Sequence, residues 1–415
     1  MTSPDAIFGS SKVGHWQQAS QQGENASMRA FTITTSDETL VDLRERLART
    51  RFRNDLPGED WGWGTPQPWL RRLVEHWLHS YDWRRTEAEL NALPQIIGDF
   101  AGLRVHAFAV RSRHEDATPL LLCHGWPGSV VEFLDCLPAL VDPTSHGGRT
   151  EDAFHVVLPS MPGFGLSGPT AAPGVDVAGI ADAFAALMDD LGHPRFVAQG
   201  GDWGAFVVRQ LGLEHPGRLL GAHINFPWAV APPGLDDPLA EATLTEREAL
   251  EHNARMYGAD NGYYVQQATR PHSIGPALED SPAGLAAWLL EKFHTWSDTR
   301  EGLPFTPDRL LDNTMLYWLT GTATSAARLY AESEAYGSDP QVWGRRVEVP
   351  TGIAHYPREK TRSPRRWSER QWNVVHWADQ PRGGHFAAFE QPGLFASDLR
   401  DFARTLRACR QPAAN

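Results

Sequence analysis

From Pro119 onward the chain alternates between short apolar runs and stretches of helical period. Pro119-Leu120-Leu121-Leu122-Cys123 and Phe154-His155-Val156-Val157-Leu158 are apolar runs short enough to be strands buried on both faces. Ile180, Phe184, Leu187 and Leu191 then recur at helical spacing until Gly192 ends the helix. Arg195-Phe196-Val197-Ala198-Gln199 predicts a third strand, and Val347-Glu348-Val349-Pro350-Thr351-Gly352 and Asn373-Val374-Val375-His376-Trp377 predict two more. A final helix is expected around Leu394 to Leu406. Strands alternating with helices predict an α/β fold, a mostly parallel sheet flanked by helices, with active residues at the carboxyl ends of the strands.

The rhythm is broken twice. Ahead of Asp99, Thr35-Ser36-Asp37-Glu38 reads as a capping box opening a helix with Leu40, Leu43 and Leu47 on one face. Trp61, Trp63, Trp69, Trp77 and Trp83 follow, spread through Gly/Pro turns and a second amphipathic helix, and are expected to dock this region on the main domain. Between Trp228 and Trp343, helical stretches such as 283–295 and 313–332 come with few strand-like runs, which predicts a helical cap over the sheet. The expected division is a loose N-terminal extension at 1–35, a wrapping region at 36–98, a core from 99–227 and 346–410, and a cap at 228–345.

Composition narrows the partners. Of 415 residues, 38 are Lys or Arg and 51 Asp or Glu, a formal charge of −13 without a basic run, so neither nucleic acid nor an anionic membrane is expected as a partner. The first 25 residues lack the apolar centre of a secretory signal, and no stretch approaches the roughly 20 apolar residues that span a bilayer. A cytoplasmic location is the expectation. Cys123, Cys136 and Cys409 form no CxxC and read as small buried hydrophobes. The unusual count is 16 Trp, which predicts aromatic cores and an aromatic-lined apolar pocket.

The candidate chemistry lies where the strands end. After the third strand comes Gly200-Gly201-Asp202-Trp203-Gly204 and then an apolar helix, the pattern of a nucleophile elbow with Asp202 at its tip. Alone, such a pentapeptide is as readily a capped helix start. Three further features join it. His124-Gly125-Trp126-Pro127-Gly128-Ser129 follows an earlier strand and nominates the backbone N–H of Trp126, with that of Trp203, for an oxyanion hole. His385 lies on a glycine loop after the last strand, and Glu359 follows the strand before it. Nucleophile, acid and histidine therefore occur in the chain order of an α/β-hydrolase triad.

A carboxylate nucleophile selects the electrophile. Attack on an sp3 carbon leaves an ester whose carbonyl water can reach, whereas a serine would leave an inert ether, so Asp202 points to epoxides or alkyl halides. An opening epoxide needs an O–H donor, which a phenol with a pKa near 10 supplies at neutral pH. Tyr257, Tyr263, Tyr264, Tyr317, Tyr330 and Tyr336 are candidates, although periodicity alone favours a packing role over a catalytic one for each.

These residues resemble a family. The chain is similar, over most of residues 36 to 405, to epoxide hydrolases of the microsomal type, in a form without that group's membrane anchor. The likeness is carried by Tyr81-Asp82-Trp83-Arg84, Leu90-Asn91-Ala92-Leu93-Pro94-Gln95, the elbow, His124 to Ser129, and Gly383-Gly384-His385-Phe386-Ala387-Ala388-Phe389-Glu390. Gly262-Tyr263, Gln267-Ala268-Thr269-Arg270-Pro271 and Asp280-Ser281-Pro282-Ala283-Gly284-Leu285-Ala286 extend it into the cap.

The resemblance implies Asp202 as nucleophile, His385 as base and Glu359 as acid, with His124, Gly125, Pro127, Gly200 and Gly204 as supporting motif positions. It places the two oxirane-activating tyrosines on Tyr263 and Tyr330, with Tyr264 a one-residue alternative to Tyr263. Arg270, His272 and the stretch Ile353 to Tyr356 depart from the family pattern and bear on the substrate rather than the triad. The implied reaction converts an apolar epoxide to a vicinal diol through an Asp202 ester, with no metal or organic cofactor. Rival readings are a haloalkane dehalogenase, a biosynthetic enzyme that opens the epoxide with a nucleophile other than water, and a binding module that has lost catalysis. A homodimer is the base-rate expectation.

Overall fold

The computed structural model describes residues 28–52, 58, 60–231, 237, 239–240, 242–334 and 343–410. Among the described residues nine strands form one sheet: β1 (Met28–Ala30), β2 (Gln95–Phe100), β3 (Leu103–Val110), β4 (Thr118–Cys123), β5 (Phe154–Pro159), β6 (Phe196–Gly200), β7 (Leu219–Ile224), β8 (Val347–His355) and β9 (Trp372–Asp379). Their order is β1-β2-β3-β5-β4-β6-β7-β8-β9. The β1–β2, β2–β3 and β3–β5 pairs are antiparallel, and every pair from β5–β4 to β8–β9 is parallel. Leu120 to Cys123 and all of β6 are buried, as continuous apolar runs in a doubly covered sheet must be. The register sets Cys123 beside Gly200, so the loops leaving β4 and β6 emerge together.

Helices among the described residues include α1 (Asp37–Ala48), α2 (Gln67–His79), α3 (Trp83–Asn91), α4 (Leu137–Val141), α5 (Val177–Asp190) and α6 (Asp202–Glu214), then α7 (Leu244–Ala259), α8 (Gly262–Thr269), α9 (Pro271–Asp280), α10 (Pro282–Thr295), α11 (Pro307–Thr320) and α12 (Ala323–Glu332). The last six are inserted between β7 and β8 as the helical cap. A C-terminal helix, Pro392–Arg410, packs against β7, β8 and β9.

Several expectations are corrected. Order begins inside the stretch expected to be loose: β1 pairs with β2, and Ile33 is buried. Residues 1–27 lie outside the described residues. The predicted capping box does not form, because Ser36 is the cap and its hydroxyl accepts from the N–H of Thr39. Thr35 is engaged elsewhere, donating its N–H to Glu87 at 2.7 Å and accepting from the Trp83 indole at 2.8 Å. The helical stretch 313–332 is two helices, parted at Gly321, whose left-handed φ of 61° ends α11. Cys123 and Cys136 are buried, but Cys409 is exposed.

The N-terminal helices hold the cap as well as the sheet. Arg46 pairs with Asp280 at 2.7 Å, His76 with Asp308 at 2.6 Å and Glu89 with Arg309 at 2.8 Å. Beneath them the buried carboxylate of Asp312 accepts from Tyr81 at 2.9 Å and Thr86 at 2.6 Å. Trp77 and Trp83 are buried, and Trp61 stacks on His294 of α10 with centroids 3.9 Å apart, whereas Trp63 is 81% exposed and docks nothing. No described helix is long and apolar enough to cross a membrane.

Candidate active site

The turn between β6 and α6 is tight. Asp202 has φ +48°, and the glycines around it make close approach possible. A Cβ on Gly204 would lie 2.2 Å from the Cys123 carbonyl oxygen, and one on Gly125 would lie 2.3 Å from Asp202 Oδ1. The Trp126 N–H therefore reaches Asp202 Oδ1 and donates to it at 2.9 Å. The Trp203 N–H lies in the first turn of α6, among the amides a helix leaves without intrahelical partners. The cap fixes the β4 loop from above: Asn313 donates to the Pro127 carbonyl at 2.9 Å and Tyr317 to that of Gly128 at 2.7 Å. From below, His124 Nε2 accepts the Met161 N–H at 3.1 Å, and burial pushes its pKa down to about 4, so it is a neutral strut.

His385 stands between two carboxylates. Its Nδ1 is 2.7 Å from Glu359 Oε1 and its Nε2 is 3.3 Å from Asp202 Oδ2. Glu359 is fully buried, as is nearly all of the imidazole. Burial works against the imidazolium, but Glu359 and Asp202 together outweigh it and raise its pKa to about 10. The loop is built to hold this geometry. Glu390 accepts from the N–H groups of Gly384 at 2.9 Å, Phe386 at 3.0 Å and Asp298 at 2.8 Å, and the His385 N–H donates to the Trp296 carbonyl at 2.9 Å. Burial raises Glu390 to about 7 against those three donors.

Two tyrosines and four tryptophans gather beside Asp202. Tyr263 of α8 stacks on Trp126 with centroids 5.2 Å apart and planes at 4°. Tyr330 of α12 stands edge-on to Trp203 at 4.8 Å and lies 6.0 Å from Tyr263. Trp288 and Trp296 complete the cluster around Trp126. Trp228 and Trp343 join Phe206 in an aromatic group that meets the cluster through the Phe206–Trp203 contact, and Trp318 faces Arg46 instead. The other cap tyrosines are accounted for elsewhere: Tyr317 donates to Gly128, Tyr257 bonds Thr361 at 2.8 Å, and Tyr264 is half-buried at the edge of Tyr330. Tyr336 lies outside the described residues.

All five residues named for catalysis thus converge, from loops and helices as far apart in sequence as 202 and 385. Two neighbours were not anticipated. Glu132 lies behind Asp202 and is raised to about 8, chiefly by burial. With Asp202, His385 and Asn225 it lines a cavity of about 20 Å³. Lys360 is buried, and its Nζ lies 2.6 Å from the Tyr263 hydroxyl and 4.0 Å from the centroid of the Trp296 ring. Its only signal in the sequence is its place directly after Glu359.

The sequence matches the family profile of the epoxide hydrolase N terminus over residues 28–133 and that of the α/β hydrolase fold over 118–258. A Stigmatella aurantiaca protein named provisionally as an epoxide hydrolase is 47% identical, over 91% of this chain and 85% of its own. Epoxide hydrolase 1 of Sus scrofa is 34% identical over 94% and 92%. Among solved structures, the juvenile hormone epoxide hydrolase of Bombyx mori superposes with a TM-score of 0.85 at 31% identity, covering 93% of this chain and 96% of that one. An Aspergillus niger epoxide hydrolase does so at 0.82 and 32%, covering 92% and 97%.

Proposed function

Because the chain belongs to the epoxide hydrolase family, on the α/β-hydrolase fold with that family's N-terminal region, we propose that it opens a bulky apolar epoxide to a vicinal diol through an ester on Asp202. The observation that carries the reading is His385 held at 2.7 Å from Glu359 and 3.3 Å from Asp202, directly beneath the Tyr263–Tyr330 pair. Asp202 attacks a ring carbon in line, and the tyrosines hydrogen-bond the ring oxygen as its C–O bond breaks.

Ester formation also prepares the second step. It removes the charge of Asp202, one of the two anions that keep His385 protonated, so the pKa of His385 falls, the imidazolium gives its proton to solvent and the neutral imidazole becomes a base. The Nε2–Oδ2 separation of 3.3 Å is long for a hydrogen bond and leaves Nε2 available to water. The cavity beside it has room for one water molecule, within reach of Glu132 and Asn225. The amides of Trp126 and Trp203 are suited to receive the oxyanion when that water attacks the ester carbonyl. The rings of Trp126, Trp288, Trp296 and Tyr330 favour an aryl or long alkyl substituent on the oxirane.

A single turnover in water labelled with heavy oxygen tests the covalent route. With enzyme in excess over an aryl epoxide, the first diol is expected to carry unlabelled oxygen from Asp202, and the label to remain in the protein. Label found directly in that diol excludes the ester.

A further inference from the structure

We infer that Lys360 is a positioning residue for ring opening: its ammonium, set against the Tyr263 hydroxyl, makes Tyr263 rather than Tyr330 the proton donor to the opening oxirane. The inference rests on the role proposed above for Tyr263. A lysine ammonium has three donors and no acceptor, so the 2.6 Å contact runs from Nζ to the phenol oxygen and leaves the phenol's own hydrogen free for the substrate. A donor on the phenol oxygen also makes its O–H more acidic. A neutral lysine reverses the contact, because its lone pair accepts the phenol hydrogen and turns it away from the ring oxygen. Tyr330 has a different setting: its hydrogen-bond partner is the neutral Trp203 side chain, which lends no charge and has no acidic proton to resupply, and the rings of Trp126 and Tyr264 flank it.

The groups that face Lys360 make its proton movable. Trp296 and Tyr263 pack their rings against the ammonium, with Tyr257 farther off. Burial lowers its pKa to about 8, Asp202 from α6, Asp260 after α7 and the adjacent Glu359 hold it up, and Lys292 of α10 pushes it down. Lys292 is itself paired with Asp260 and Glu291. When Asp202 becomes an ester, Lys360 loses one of its three anions at the moment negative charge appears on the ring oxygen.

A bond forms from an Asp202 oxygen to the ring carbon, the ring C–O bond breaks, and its electron pair passes to the ring oxygen. That oxygen takes the proton of Tyr263, and the phenolate takes one from Lys360, leaving a neutral amine. Hydrolysis releases Asp202 first as its acid, whose proton passes to the neutral His385, and the proton that His385 gave to solvent when the ester formed restores the ammonium.

The test is a double-variant cycle on the full chain: wild type, Lys360→Met, Tyr263→Phe and the two combined. Each is mixed in excess with styrene oxide, and ester formation and ester hydrolysis are followed by rapid quench and protein mass from pH 6 to 10. Lys360→Met is expected to slow ester formation roughly tenfold or more, as loss of a charge-assisted hydrogen bond does, while hydrolysis is unchanged and the basic limb of ester formation near pH 8 disappears. In the Tyr263→Phe background it is expected to cost nothing further. Equal losses in both backgrounds, or a limb at pH 8 that survives, overturn the inference. A silent Tyr263→Phe variant instead overturns the role of Tyr263, and the Lys360 inference falls with it. Lys360→Arg, which keeps charge and donors, covers a methionine variant that does not fold. It is expected to retain ester formation and move the limb upward, and a limb fixed at pH 8 overturns the inference.

Discussion

Asp202 holds a left-handed backbone conformation, φ +48°, which costs a residue bearing a Cβ about 1–2 kcal/mol and glycine almost nothing. Asp202→Ala and Asp202→Gly both remove the carboxylate and should both be inactive. The glycine variant should nevertheless be the more stable by about 1 kcal/mol in urea unfolding, and a more stable alanine variant would contradict the strain. His385 gives a second expectation. Its folded pKa of about 10 lies above the ordinary 6.5, so its contribution is complete below pH 6.5 and is lost as pH rises to 10. Lys360 has the opposite sign: folded near 8 against 10.5 unfolded, it destabilises at low pH, and the penalty is relieved between those values. The wild type minus His385→Gln stability difference should therefore fall with pH from 6.5 upward, as urea unfolding across that range would show. Asp202, Glu359 and His385 were legible in the sequence because each follows an apolar strand on a short loop. Lys360 was not, since its meaning depends on Tyr263, 97 residues away on a cap helix.

The elbow depends on two elements approaching within backbone contact. A methyl group on Gly204 would meet the Cys123 carbonyl at 2.2 Å and force α6 away from β4. Gly204→Ala should lose about 3 kcal/mol or more and most of the activity. Gly217→Ala, where a Cβ meets nothing within 4 Å, should stay within about 0.5 kcal/mol of wild type in the same unfolding assay. Strands β4, β5 and β6 could be read directly, because burial on both faces leaves an uninterrupted apolar signature. The β2–β3 hairpin could not: its two-residue turn is Ala101-Gly102, with φ of 48° and 81°, and lacks the Asn or Asp that usually announces such a turn. Gly321 was equally silent, since helical periodicity continues on both sides of it.

Across the molecule, one side chain joins three parts of the structure. Arg309 of α11 binds Glu89 of α3, Asp135 beyond the β4 loop, and the buried Asp312 of its own helix. Arg309→Leu leaves Asp312 without its nearest cation and should cost about 3 kcal/mol. It should also hasten proteolysis within the cap and raise KM, while ester hydrolysis proceeds at its normal rate. A variant that melts with the wild type would show that the Arg309 ion pairs contribute nothing to holding the cap. The high tryptophan count pointed to aromatic seams but not to their arrangement, which depends on tertiary contacts: Trp63 ended in solvent and Trp126 at the junction of core and cap. That junction makes the chemistry optically visible. The backbone of Trp126 binds the carboxylate oxygen whose charge disappears on ester formation, while its indole lies flat on Tyr263. Indole emission responds to nearby charge, so each turnover should produce a fluorescence transient that rises and decays with the ester. Trp126→Phe, which keeps the amide and removes the indole, should turn over with a smaller transient, the remainder coming from Trp203, which follows Asp202 in the chain, and from Trp296, whose ring lies against His385 and Lys360, groups that change charge.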